Sequence, residues 1–120
     1  MAISNIPWQH ITIFLPLIII AVTGYYLKKN PPKKINKIKG YRTKRSMQSQ
    51  EAWDFSQVYS SGLLFTWSLA GIVGLALQLY TQKSTSSTSF TFTGIIILLA
   101  IAAGVFYFTE KELKKNFGEH

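Results

Sequence analysis

The stretch "GYRTKRSMQSQEAW", Gly40 to Trp53, holds the residue types whose spacing could do chemistry. Arg42 and Arg45 carry planar guanidinium groups that grip oxyanions through paired hydrogen bonds. Thr43 and Ser46 add neutral donors, and a helix starting nearby would aim its unpaired N–H groups at the same place. Together they read as a cradle for an anion: a lipid phosphate, a nucleotide phosphate or a partner's carboxylate. A second reading stays open, because Glu51 and Asp54 follow closely. Arg42 paired with either acid would simply staple the stretch in place. General acid–base work on a lipid headgroup would need the same pairing, and no residue is assigned a catalytic role.

The elements that must position this stretch follow from composition. Of 120 residues, 48% are apolar and only 15% charged. Three segments, 8–27, 63–80 and 90–108, contain no Asp, Glu, Lys or Arg. Each is close to the ~20 apolar residues that cross a bilayer. Helices of a soluble bundle keep a polar face, and these have none. The expectation is an all-α membrane protein, one domain over 1–120 with three transmembrane helices. The first segment is followed by "YYLKKNPPKK" and preceded by no Lys or Arg, which reverses the polarity of a cleaved signal, so it reads as a retained anchor. Pro16 within it should leave a static kink near Thr12.

Basic residues set the orientation. Nine of the thirteen Lys and Arg lie between Lys28 and Arg45, three in the C-terminal tail and one in the connection "TQKSTSSTS". The N-terminus is therefore expected outside and the C-terminus inside a bacterial cell membrane, with 28–62 as a basic cytoplasmic loop. Trp8, Tyr25, Tyr26, Tyr80, Phe90, Tyr107 and Phe108 fall where interfacial aromatics belong. Pro31-Pro32 forces the chain out of helix, and Lys28, Lys29, Lys33 and Lys34 would adhere to anionic lipid headgroups. Gly40 is the natural turn residue. Ser46 or Ser49 suits a helix N-cap, with Glu51 in the first turn. The spacing predicts a short interfacial helix over about 49–60, joined to the second span through Ser60-Ser61-Gly62. Ala70 with Gly74, and Ala100 with Gly104, stand one turn apart, the spacing that lets membrane helices pack closely. Such faces also invite a homo-oligomer.

Several chemistries are excluded or disfavoured. The chain has no cysteine, and its two histidines, His10 and His120, are expected on opposite sides of the membrane. No metal site and no cofactor follow from it. Transporters place ionisable groups within their spans, and here His10 near the outer edge stands alone. The basic residues would attract nucleic acid nonspecifically, but their place beside a span already accounts for them.

Asn36, then "GYRT", then "SM", then Trp53 directly before a span, resembles the signature of the SdpI family of small bacterial membrane proteins. The similar stretch runs from about Asn36 to Gly74, and the signature falls on Asn36, Gly40, Tyr41, Arg42, Thr43, Ser46, Met47 and Trp53. Where the family usually has Pro after the Thr, this chain has Lys44, which implies a less rigid loop. The resemblance implies immunity to a membrane-active peptide toxin met from outside. It also implies signalling, through a cytoplasmic repressor or other regulator held at the membrane.

Overall fold

The computed structural model describes residues 8–81 and 87–118, and the side chains of Trp8, Gln9 and Ser87 are left aside. Three helices make up nearly all of it: α1 (Trp8–Lys29), α2 (Gln50–Thr81) and α3 (Ser87–Phe117). All three are long and apolar enough to cross a membrane, and no strand occurs among the described residues. Most of the polar connection expected between the second and third spans, and the Trp8 ring, fall outside the described residues.

Length explains the shape. At 1.5 Å per residue, helices of 22, 32 and 31 residues run about 33, 48 and 46 Å. A bilayer's hydrocarbon core is about 30 Å thick, so α1 has little to spare while α2 and α3 overreach by several turns. The overhang lies at one end, where α2 begins and α3 finishes. There Phe55 and Phe117 meet edge-on, with ring centroids 5.7 Å apart. Residues 30–49 fold against this overhang.

The expected interfacial helix is not a separate element. Residues 50–62 form the first turns of α2, and the Ser60-Ser61-Gly62 joint does not interrupt it. The serines are accommodated within the helix with their hydroxyls satisfied by preceding carbonyls: Ser61 Oγ donates to the Gln57 carbonyl at 2.6 Å, and Ser56 Oγ to that of Trp53 at 2.9 Å. Pro16 is likewise carried within an uninterrupted α1.

The packed seam is narrow. Ile13, Leu17, Leu75, Phe90, Ile101 and Val105 form its buried centre. Phe90, expected at the membrane interface, belongs instead to this core, its ring tilted against those of His10 and Phe14 with centroids 4.6 and 5.8 Å away. Outside the seam, large aliphatic side chains face outward: Ile19 is 55% exposed, Val22 62%, Ile96 63% and Leu99 66%. Water would make such faces costly at roughly 25 cal/mol per Å², whereas lipid accepts them. This outward oil marks a multi-pass membrane protein.

Close helix approach uses different small residues from those expected. Ala70, Gly74 and Ala100 are exposed, and a Cβ built on Gly74 would have nothing within 4 Å. The contact falls one residue on, at Gly71, where a Cβ would lie 2.9 Å from Ile97. Gly104 does pack, with its missing side chain replaced by the Trp67 ring. A close backbone crossing lies at Gly24 of α1, where a Cβ would stand 2.8 Å from the Phe65 nitrogen and 2.9 Å from the Ser61 oxygen of α2. Backbone cannot yield as a side-chain tip can. Gly24→Ala is therefore expected to lower the stability of the detergent-solubilised protein by about 1–3 kcal/mol. Gly74→Ala should be neutral, or stabilising by up to about 1 kcal/mol through helix propensity. Thermal unfolding of both variants checks the pair.

Candidate functional site: a carboxylate held by the signature loop

The loop folds onto its own side chains first. Asn36 opens it with an Asx turn, its Oδ1 accepting from the Ile38 and Lys39 amides at 2.9 and 2.7 Å. Gly40 follows at φ 97°, a conformation that an L side chain resists. A side chain there would also occupy the place of the Gln57 amide oxygen. That amide, on α2 and 2% exposed, pairs with the Tyr41 backbone in both directions. Tyr41 N–H donates to Gln57 Oε1 at 2.7 Å, and Gln57 Nε2 donates to the Tyr41 carbonyl at 2.8 Å. A side chain thus does the work of a neighbouring strand.

Residues 43–47 make one helical turn, closed by the Met47 amide on the Thr43 carbonyl at 3.0 Å. Thr43 and Ser46 cap it reciprocally. The Thr43 amide donates to Ser46 Oγ at 2.7 Å, and the Ser46 amide to Thr43 Oγ1 at 3.1 Å. Ser46 is fully buried, and its hydroxyl proton has the carbonyls of Thr43 and Tyr41 at 3.0 and 3.2 Å. Ser49 then caps α2 by accepting from the Ala52 amide at 3.0 Å. The other end of the loop is tied down by α2 itself. The buried Trp53 indole donates to the Pro32 carbonyl at 2.7 Å, and Gln50 Nε2 to that of Lys33 at 2.7 Å.

With the turn set, three side chains converge on one carboxylate of α3. Tyr41 Oη donates to Glu110 Oε2 at 2.7 Å and Thr43 Oγ1 to the same oxygen at 2.8 Å. Arg45 Nη1 meets Oε1 at 3.2 Å. The anion cradle read from the sequence is thus filled by the chain's own Glu110. This carboxylate is the first charged residue after the third apolar segment. Burial, and then the hydrogen bond and charge of Glu110, raise the Tyr41 phenol above its ordinary range. A raised folded value means that this contribution is fully present below the ordinary phenol value of about 10, and is lost only as pH climbs beyond it. Tyr41 is therefore a donor at every physiological pH.

Other expected residues take different parts. Arg42 is exposed and donates to the Lys37 carbonyl, so it neither pairs with Glu51 or Asp54 nor reaches Glu110. Asp54 accepts from Gln50 at 2.7 Å, and Glu51 lies exposed in the first turn of α2. Gln57 and Glu110 escaped the sequence reading. Gln57 sits among serines and aromatics with no charge to mark it. Glu110 had a signal, since the positive-inside count already placed the end of the third span beside the loop. As arranged, the cluster holds: its carboxylate is engaged by three donors.

Removing the carboxylate strands those donors. An unpaired buried donor costs about 1–3 kcal/mol, more where charge is involved. Glu110→Ala should therefore release the loop. Limited trypsin digestion in detergent is expected to cut at Lys44 and Arg45 at least tenfold faster than in the unaltered protein, with α1–α3 still helical by circular dichroism.

The chain can now be set beside known proteins. The profile of the SdpI/YfhL protein family matches residues 33–109, from the loop to the residue before Glu110. The "Uncharacterized protein YfhL" of Bacillus subtilis (strain 168) is 34% identical over 96 residues, covering 80% of each chain. No solved structure matches. A three-helix membrane architecture carrying this loop, matched over well more than half its length, belongs to the SdpI/YfhL family.

Proposed function

We propose that this chain is an immunity protein of a bacterial cell membrane, protecting its cell from a membrane-active peptide toxin. Family membership over residues 33–109 is the observation that carries the reading. The fold suits it. The basic loop and the end of α3 share one end of the molecule through the Glu110 contacts, and the positive-inside rule assigns that end to the cytoplasm. The opposite end then faces outward. It bears an apolar groove of about 330 Å³ lined by His10, Ile11, Phe14, Leu15, Ile18 and Leu79. An amphipathic peptide lying in the outer leaflet would meet this groove first. The role is non-catalytic: Glu110 is occupied by donors, and Glu51 and Asp54 stand on an exposed turn.

Signalling is a second reading, favoured by the exposure of Arg42 and Lys44 on the loop. A cytoplasmic regulator with an acidic face would dock there, and release of the loop from Glu110 would change what it meets.

Expression of the chain in a sensitive bacterium should raise survival against a family-type peptide toxin, read as colony counts over a toxin dilution series. Leu15→Arg, which places a charge in the groove, should remove protection without lowering the amount of protein in the membrane. No protection against any such peptide would overturn the immunity role.

A further inference from the structure

Between the last turns of α1 and the turn that opens the signature loop runs an open groove of about 680 Å³. Val22, Tyr26 and Leu27 stand on its α1 side, and Ile38 and Lys39 on its loop side. We propose that Ile38 is immersed in the inner leaflet and that a phospholipid acyl chain fills this groove.

Helix length sets the depth. At 22 residues, α1 runs about 33 Å against a hydrocarbon core of about 30 Å. Its end at Lys28 and Lys29 therefore coincides with the boundary of that core. Val22, two turns before Lys29, lies about 10 Å deeper. The loop comes back to this level after Pro31-Pro32, for Lys39 Nζ stands 5.7 Å from the centre of the Tyr26 ring. Ile38, 88% exposed, and Tyr26, 53% exposed, thus share one groove at the depth where interfacial apolar groups settle, about 5–10 Å below the headgroups. In water such an arrangement would leave both unburied.

Backbone at that depth must have its polar groups satisfied within the protein. Asn36 does this with one side chain. Its Oδ1 accepts from the Ile38 and Lys39 amides, and its Nδ2 donates to the Lys34 carbonyl at 2.8 Å. Gly40 then turns the chain away at φ 97° to Tyr41, whose backbone is held by Gln57. Ile38 is presented on a closed turn with a fastened base.

Charge commits the groove to lipid. No phosphate contact is asked of Lys39, whose ammonium already lies over the Tyr26 ring. Lys33, Lys34 and Lys37 are exposed around the same turn, and cations beside an apolar tip draw it to an anionic leaflet. The same basic rim would repel a second copy of itself. The inference does not rest on the immunity reading, since a lipid can fill the groove whatever the protein protects against.

The chain has no cysteine, so Ile38→Cys can carry a single nitroxide in vesicles of phosphatidylglycerol and phosphatidylcholine. Oxygen, which concentrates in hydrocarbon, should collide with it as often as with a nitroxide at Val22→Cys, to within about twofold. A water-soluble nickel chelate should meet it about fivefold less often than it meets a nitroxide at Lys44→Cys. Equal access of the chelate to positions 38 and 44 would overturn the immersion. Shielding from both reagents would overturn it too, since protein would then cover the groove. A second measurement uses the unaltered chain. Phosphatidylglycerol with a photoactivated diazirine high in its acyl chain should label Ile38 or Lys39 as well as α1, read by mass spectrometry of the fragments. Label on α1 without label on the loop would remove the acyl chain from the groove and with it the proposal.

Discussion

Glu110 is the side chain around which the basic end of this molecule is arranged. A carboxylate at the edge of a bilayer has a poor choice of partners: hydrocarbon on one side and competing water on the other. Here it is taken up by a phenol, a hydroxyl and a guanidinium from a single short loop, with Oε2 receiving two bonds and Oε1 an ion pair. Charge-assisted bonds of this kind are about twice as strong as neutral ones. The consequence is topological. Residues 30–49, which follow α1, are fastened to the exit of α3, and since α2 begins where they end, all three helices are tied at one end.

The family signature becomes intelligible as parts of that fastening. Asn36 and Gly40 bend the chain, Tyr41 and Thr43 reach the carboxylate, and Ser46 closes the turn that aims them. Trp53 and Gln57 hold the loop down on α2. Lys44 lies exposed in the same turn. Thr43 and Ser46 supply the turn's hydrogen bonds from within. Arg42 takes a different part. Its bond to the Lys37 carbonyl stays within the loop, and its exposed side chain is the part of the signature left facing outward.

Much of this is legible in the amino-acid sequence. Long uncharged segments pointed to the three helices, and of the two cap candidates, Ser46 and Ser49, it is Ser49 that caps α2. What failed did so for local reasons. Ser60, Ser61 and Gly62 look like a break, but α2 runs straight through them, and the Ser61 hydroxyl is satisfied by a preceding carbonyl. Small residues one turn apart look like a seam, yet Ala70 and Gly74 show only that a close approach is permitted somewhere on that helix. One position of rotation moves the contact to Gly71. Phe90 reads as interfacial from its place at a segment end, and packs inward because His10 and Phe14 stand opposite. The partner of the arginine-bearing loop was the hardest to find, because Glu110 lies 65 residues from Arg45 and only the folded topology brings them together.

The arrangement of the three helices depends on the coupling between the loop and α3, and a double-mutant cycle measures that coupling directly. Tyr41→Phe, Glu110→Ala and the double variant would be compared by unfolding in detergent at neutral pH. Contact predicts that the single losses fail to add, with a coupling free energy of about 1–2 kcal/mol. Strict additivity, within about 0.3 kcal/mol, would mean that the two side chains do not meet, and would contradict the fastening on which the arrangement of the three helices is argued.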